Sequence, residues 1–156
     1  MRRSEREVKD TAEICGVLSE CRCLRLGLID GGRVYVVPVN FGFTYTDGKY
    51  AFYFHGAKSG RKAELLARNG YAGFETDTGY SLRSADCACG YTALFKSVIG
   101  GGRVTRLEDA EEKRAALAVI MEHAAGGKEW TFAPEQTDAA AVYRLDADEL
   151  SCKRNV

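Results

Sequence analysis

The densest chemistry in this 156-residue chain lies in one run, Phe52-Tyr53-Phe54-His55-Gly56-Ala57-Lys58-Ser59-Gly60-Arg61-Lys62. It holds an imidazole, a hydroxyl and three cations. The pattern reads as a strand ending at His55 that enters a helix near Lys58. A helix start presents backbone N–H groups with no intrahelical partner, and Arg and Lys beside them complete what a phosphate monoester requires. Cations in a first helical turn oppose the helix dipole, so Lys58, Arg61 and Lys62 cost helix stability unless an anion sits there. Gly56 and Gly60 would let a ligand come close to the backbone. The alternative is a solvated basic helix face. His55 shares a strand face with Tyr53; a titratable donor beside a phosphate suits substrate orientation or proton transfer, against the plainer reading of a hydrogen-bonded structural histidine. His123, in a helix without a partner nearby in sequence, reads as a surface residue.

A second stretch, Val37-Pro38-Val39-Asn40-Phe41-Gly42, is a strand whose backbone is not fully committed to a sheet, because Pro38 removes a ladder donor. Freed backbone groups with the Asn40 amide could read the edge of a planar heterocycle; an ordinary edge strand explains them equally well. Gly100-Gly101-Gly102 is not a phosphate loop, since Arg103-Val104-Thr105 continues as strand and no dinucleotide-binding or Walker pattern occurs. The hydrolase and protease signatures H-E-x-x-H and G-x-S-x-G are also absent. Cys21-x-Cys23 and Cys87-x-Cys89 lack the ligand spacing of a structural zinc site, so the six cysteines are expected to be reduced, inert core thiols and no metal site is expected.

The elements that must position these residues follow from periodicity. Residues 6–20 form an amphipathic helix pattern; Leu24, Leu26 and Leu28 alternate on a strand that ends at Asp30-Gly31-Gly32. A strand over 34–43, the hairpin signal Thr46-Asp47-Gly48-Lys49 and a strand over 50–55 follow. A helix over 58–69 is closed by Asn69-Gly70, a strand spans 71–77, and 78–86 reads as polar and irregular. A strand over 89–99 is expected to bend at the glycines. A helix over 108–125, a looser stretch with Trp130, a strand over 140–150 and a charged tail over 151–156 complete the chain. Hairpins favour a mainly β fold with flanking helices, an antiparallel six-stranded barrel, over a parallel α/β sheet.

Length and composition set the frame: a single domain over 1–156, with 46% hydrophobic and 28% charged residues, is an ordinary globular chain. Twenty-two Lys+Arg against twenty-two Asp+Glu give no net charge, which argues against a general nucleic-acid binder and makes any anion site local. The charged start and the lack of a long apolar run suggest neither export nor membrane insertion, so a cytoplasmic protein is expected.

In combination, Arg25-Leu26-Gly27-Leu28, Val37 to Gly42, Tyr53 to Ala57, Gly60-Arg61-Lys62 and Ser97-Val98-Ile99-Gly100 resemble the nitroimidazole-resistance proteins of the pyridoxamine 5'-phosphate oxidase-like superfamily, over nearly the whole chain. The resemblance implies an FMN-binding split barrel that forms a homodimer with flavin at the subunit interface. It places the isoalloxazine edge against Val37, Pro38, Val39 and Asn40, with Phe54 and His55 close by. Ser59, Gly60, Arg61 and Lys62 would hold the FMN phosphate, and Ser97, Val98 and Gly100 would contribute from the partner subunit or the interface. His55 falls on the substrate-side histidine and is the catalytic candidate. The unaligned segments 78–89 and 126–137, Trp130 included, would supply a substrate wall. The implied activity passes electrons from reduced flavin to a small planar acceptor such as a nitroimidazole or other nitroaromatic. A non-enzymatic flavin module, pyridoxamine 5'-phosphate oxidase-like activity, and a haem or metal binder using His55 or the cysteine pairs are the alternatives.

Overall fold

A computed structural model describes residues 3–127 and 129–156. Its frame is one antiparallel sheet. The long strands are β2 (Leu24–Asp30), β3 (Arg33–Val39), β4 (Phe41–Thr46), β5 (Lys49–Ala57), β6 (Tyr71–Arg83), β7 (Thr92–Leu107) and β8 (Ala140–Asn155), in the spatial order β3-β2-β6-β7-β8-β5-β4. A two-residue β1 (Glu7–Val8) pairs with β8 at Lys153 and Cys152. The two edge strands, β3 and β4, are consecutive in the chain and joined through Asn40 alone. One residue cannot span an open sheet, so the sheet must curl until its edges meet. They meet without pairing, and the result is a split barrel.

Alternation builds the interior. Leu24, Leu26 and Leu28 of β2, Phe52 and Phe54 of β5, and Leu145 of β8 all point inward and are buried. Phe52 packs on Phe74, with ring centroids 4.6 Å apart, and Phe54 stacks on Tyr143 at 5.3 Å. Both two-residue hairpins have the positive φ pair that a type I′ turn needs, at Gly31 and Gly32 and at Asp47 and Gly48.

The helices close the barrel and shield part of its outside. α1 (Thr11–Glu20) sends Ile14, Val17 and Leu18 into the core, and Asp10 caps it by accepting the Glu13 N–H at 2.8 Å. α2 (Arg61–Asn69) buries Ala63, Leu65 and Leu66 and ends on Gly70 in the left-handed region. α3 (Ala110–Ala125) lies over β4, β5 and β8, where Ala116 meets Leu107 and Val142; Asp109 caps it, accepting from Glu111 and Glu112. α4 (Pro134–Ala139) leads into β8. The outer face of β3, β2, β6 and β7 carries exposed Val34, Val36, Ile29 and Ile99.

Several expected boundaries move. The first helix begins at Thr11, because residues 4–8 form a 3-10 turn and β1. The expected strand over 34–43 is two strands belonging to opposite edges of the sheet. β6 runs on through the polar stretch to Arg83, paired with Thr92, Ala93 and Leu94 of β7 across a register shift between Thr78 and Ser81. That ribbon projects beyond the core, which is why its sequence lacks a buried face. The glycines at 100–102 do not break β7; the irregularity lies on β8, where Asp148 is the extra residue between partners of Gly101 and Gly102. The charged end is strand as far as Asn155, with Cys152 turned inward beside Val98. The barrel therefore has seven long strands rather than six.

Candidate functional site

α1 and α3 begin on aspartate caps, whereas α2 begins on Gly60, which has no side chain to bond the first turn and sits at φ 102°. The first intrahelical bond runs from the Glu64 N–H to the Gly60 carbonyl at 3.0 Å, so the Arg61, Lys62 and Ala63 N–H groups point out of the helix start unbonded by any cap. Anion binding needs this arrangement.

Lys62 is placed by what β5 lacks. Its ammonium donates to the His55 carbonyl at 3.3 Å. A Cβ at Gly56 would stand 2.5 Å from the Lys62 Nζ and 2.8 Å from its Cε, so a bare glycine is the condition for Lys62 to lie on the strand. Partial burial lowers the Lys62 pKa. Partial burial, and then the neighbouring Lys62 charge, push His55 below its ordinary value of 6.5. His55 is neutral near pH 7, with its ring on the outer face of β5.

A cavity of about 340 Å³ opens here, lined by Cys23, Pro38, Val39, Asn40, His55 and Lys62. It lies where the two sheet edges meet. Pro38 is on the edge strand, and Asn40 is the residue between strands, so the polar groups of this stretch are not consumed by a full ladder. Cys23 was not foreseen. It precedes β2, and Thr76 donates to its carbonyl at 2.8 Å, which fixes that backbone against the cavity.

The sequence-predicted site residues divide into groups. Pro38, Val39, Asn40, His55 and Lys62 come together. Val37 packs its side chain on the core, and Phe54 and Val98 are fully buried inside the barrel, backbone included, out of reach of a ligand in the cavity. Arg61 does not line the cavity: its guanidinium donates to Asp30 at 3.0 Å and covers the Tyr35 ring at 4.4 Å. Arg68 shares the same carboxylate at 2.9 Å, and these two cations hold the Asp30 pKa below its ordinary value. Ser59 faces a neighbouring cavity on the other flank of the α2 start. Ser97 and Gly100 lie on β7, outside the cavity.

Other expectations need correction. His123 is not a surface residue. It lies half-buried against Phe41, with centroids 4.5 Å apart, and its Nε2 is 2.8 Å from the Cys21 carbonyl. Trp130 and His123 line a separate cavity of about 930 Å³, so Trp130 is no wall of the His55 cavity; neither is any residue of 78–89. Cys21 and Cys152 are buried, and burial raises both thiols, Cys152 to about 11. Cys87 and Cys89, in contrast, are exposed at a 3-10 turn and are not core thiols. Neither cysteine pair lies on a strand. Among the described residues no group of three or more His, Cys, Asp or Glu is placed to hold a metal, and no helix is long and apolar enough to cross a membrane.

With the geometry in place, the comparisons define the class. The sequence model of the pyridoxamine 5'-phosphate oxidase family matches residues 10–154, and the chain belongs to that family. No curated protein matches it in sequence. Among solved structures, it is similar to a provisionally assigned 5-nitroimidazole antibiotic resistance protein from Bacteroides thetaiotaomicron, at 28% identity and a TM-score of 0.82, over 95% of this chain and 86% of that one. The flavocytochrome Anf3 of Azotobacter vinelandii shares the fold at 22% identity and a TM-score of 0.81, over 100% of this chain and 72% of that one. A FAD and heme binding protein of Mycobacterium smegmatis shares it at 15% identity and 0.83, over 96% and 73%.

Proposed function

We propose that this protein is a flavin-dependent oxidoreductase that binds FMN and passes its electrons to a small planar acceptor, a nitroimidazole or another nitroaromatic. The observation that carries this reading is the meeting of an uncapped, cation-flanked helix start with the cavity of Pro38, Asn40, His55 and Lys62. Family membership and flavin-binding neighbours of the same fold support it.

The residues fit the cofactor. The Arg61, Lys62 and Ala63 N–H groups would take the phosphate, with Lys62 as its charge partner and the Ser59 hydroxyl at the edge of the turn. Arg61 would reach the same anion by exchanging Asp30 for it. Bound FMN supplies the electron transfer itself. The chain's own work is to hold the ring edge against Pro38–Asn40, to exclude water with Val39, and to offer at His55 a neutral imidazole that orients the acceptor or relays a proton.

The cavity is open on the outside of the barrel, and a second copy of the chain would complete it. The uncovered face with Val34, Val36 and Ile99, together with the projecting β6–β7 ribbon with Tyr80, Leu82 and Tyr91, is the surface such a homodimer would bury. In that assembly Ser97 and Gly100 would belong to the interface, with Val98 buried behind them. A cytoplasmic setting fits six unpaired thiols.

Purified protein should show a flavin spectrum and oxidise reduced flavin with a nitroimidazole. His55→Ala should keep the flavin and slow that reoxidation; an unchanged rate removes His55 from the chemistry. Flavin that never turns over with NAD(P)H and a panel of nitro compounds would favour an electron-carrier module. Turnover of pyridoxamine 5'-phosphate would favour the oxidase activity.

A further inference from the structure

The chain carries the C-x-C spacing twice, and the two copies fold differently. Cys21 is buried at the end of α1, where its thiol donates to the Val17 carbonyl at 3.2 Å, and its backbone is already extended toward the half-buried Cys23. Burial pushes the Cys21 thiol up, away from the reactive thiolate. Cys87 and Cys89 are both exposed, an uncommon setting for a residue that is ordinarily among the most buried. They occupy the tip of the β6–β7 ribbon, beyond its last ladder pair, Arg83 with Thr92.

Two backbone bonds shape that tip. The Gly90 N–H donates to the Cys87 carbonyl at 3.0 Å and the Tyr91 N–H to the Ala88 carbonyl at 3.3 Å, which holds Ala88–Gly90 in a 3-10 turn. On a strand, residues two apart point to opposite faces and stand about 6.7 Å from each other. The 3-10 rise of about 2.0 Å per residue instead brings their Cα atoms to about 5 Å, inside the range of about 4.4–6.8 Å that a disulfide spans. Gly90 keeps the turn tight, since a Cβ there would stand 2.7 Å from the Ala85 Cβ. The Cys87 sulfur lies 3.8 Å from the same point, over the turn. Exposed thiols with a resolving cysteine beside them are the class that exchanges with other sulfur compounds.

We propose that Cys87 and Cys89 form a reversible dithiol–disulfide site that exchanges with small disulfides of the glutathione class. The thiolate of one cysteine attacks the external disulfide, takes one of its sulfurs into a mixed disulfide and releases one small thiol. The second cysteine attacks the protein-side sulfur, closes the Cys87–Cys89 bond and releases the other small thiol. Two protein thiols lose two electrons and two protons, and the external disulfide gains both as two thiols. Neither cysteine lines the cavity of Pro38, Asn40 and His55, so the exchange needs no flavin.

In the test, purified protein is reduced, freed of reductant and incubated anaerobically with glutathione disulfide, then acid-quenched, alkylated and digested with trypsin. Peptide 84–96, which carries both cysteines, should become lighter by two hydrogens and be restored by dithiothreitol, with Cys21 alkylated as in untreated protein. Cys87→Ser and Cys89→Ser, each checked by its melting temperature, should instead retain one glutathione on the remaining cysteine, the trapped intermediate. A wild type that keeps glutathione on this peptide, a bond between two copies in place of the internal one, or cysteines that stay reduced overturns the proposal.

Discussion

Two histidines flank the point where the sheet edges meet, and they are built for opposite ends. His55 faces the cavity on the Asn40 side, and His123 packs beside Phe41 on the α3 side. Burial lowers the pKa of both. The difference is in their partners. His123 is satisfied: its Nε2 meets the Cys21 carbonyl, aromatic rings cover it, and its own carbonyl accepts from Arg22 at 2.9 Å. It pins α3 to the α1–β2 turn. His55 has no such side-chain bond among the described residues, and its nearest charge is a lysine held over its backbone. The larger cavity belongs to His123, so volume does not choose the site. Unspent polar groups and local charge do.

That contrast can be broken from either side. The largest expected effect is on flavin affinity: Lys62→Ala should weaken FMN by about 10- to 100-fold, the worth of one charge-assisted bond, and Arg61→Ala by less because Asp30 competes for it. Equal losses from both would show that Arg61 abandons Asp30 completely on binding.

On the other flank the cost should fall on stability. A Cβ on Gly42 would run into the backbone of Val119 and Ile120, so Gly42→Ala should destabilise by about 1–3 kcal/mol in denaturant melts. His123→Ala should cost about 1–2 kcal/mol through the lost Cys21 contact and packing, with FMN affinity unchanged in a variant that still folds. A change in FMN affinity there would tie the two flanks together.

Gly56→Ala sharpens the first flank. Only the far end of Lys62 stands in the way of the new methyl, so the melting temperature should hold while FMN affinity drops about tenfold. Unaltered affinity would mean that Lys62 binds from another position.

The smallest effect is on pH. Both histidines titrate below the ordinary 6.5 in the folded state, so as pH falls through that value the unfolded chain takes up protons first. Stability present at pH 7 should therefore decline below about 6.5 and level off once the folded pKa values are passed. Denaturant melts from pH 7.5 to 5 on the wild type and a His55→Ala/His123→Ala variant check this; the variant should lose that part of the slope.

What the sequence made legible was local. The leucine alternation of β2, the two Gly-containing hairpins and the Gly70 cap are dictated by neighbouring residues and stand where the pattern put them, whereas α2 starts at Arg61, three residues after the expected Lys58. The misreadings involve partners distant in the chain. Strand β8 beyond Leu150 and β6 beyond Asp77 are held by ladder bonds to β7 rather than by a hydrophobic face. The Cys21 contact of His123 crosses 102 positions, and Asp30 captures Arg61 across 31. Cys23 reaches the cavity only because the barrel curls. A turn signature cannot announce such contacts.

The central claim is that the α2 start and the His55 cavity together hold a flavin, and the most direct measurement is a titration of the purified apoprotein with FMN, followed by flavin fluorescence. The account predicts saturable binding at one flavin per chain, weakened in Lys62→Ala and unaffected in a folded His123→Ala. No saturable binding by the wild type, or binding indifferent to Lys62, would contradict it.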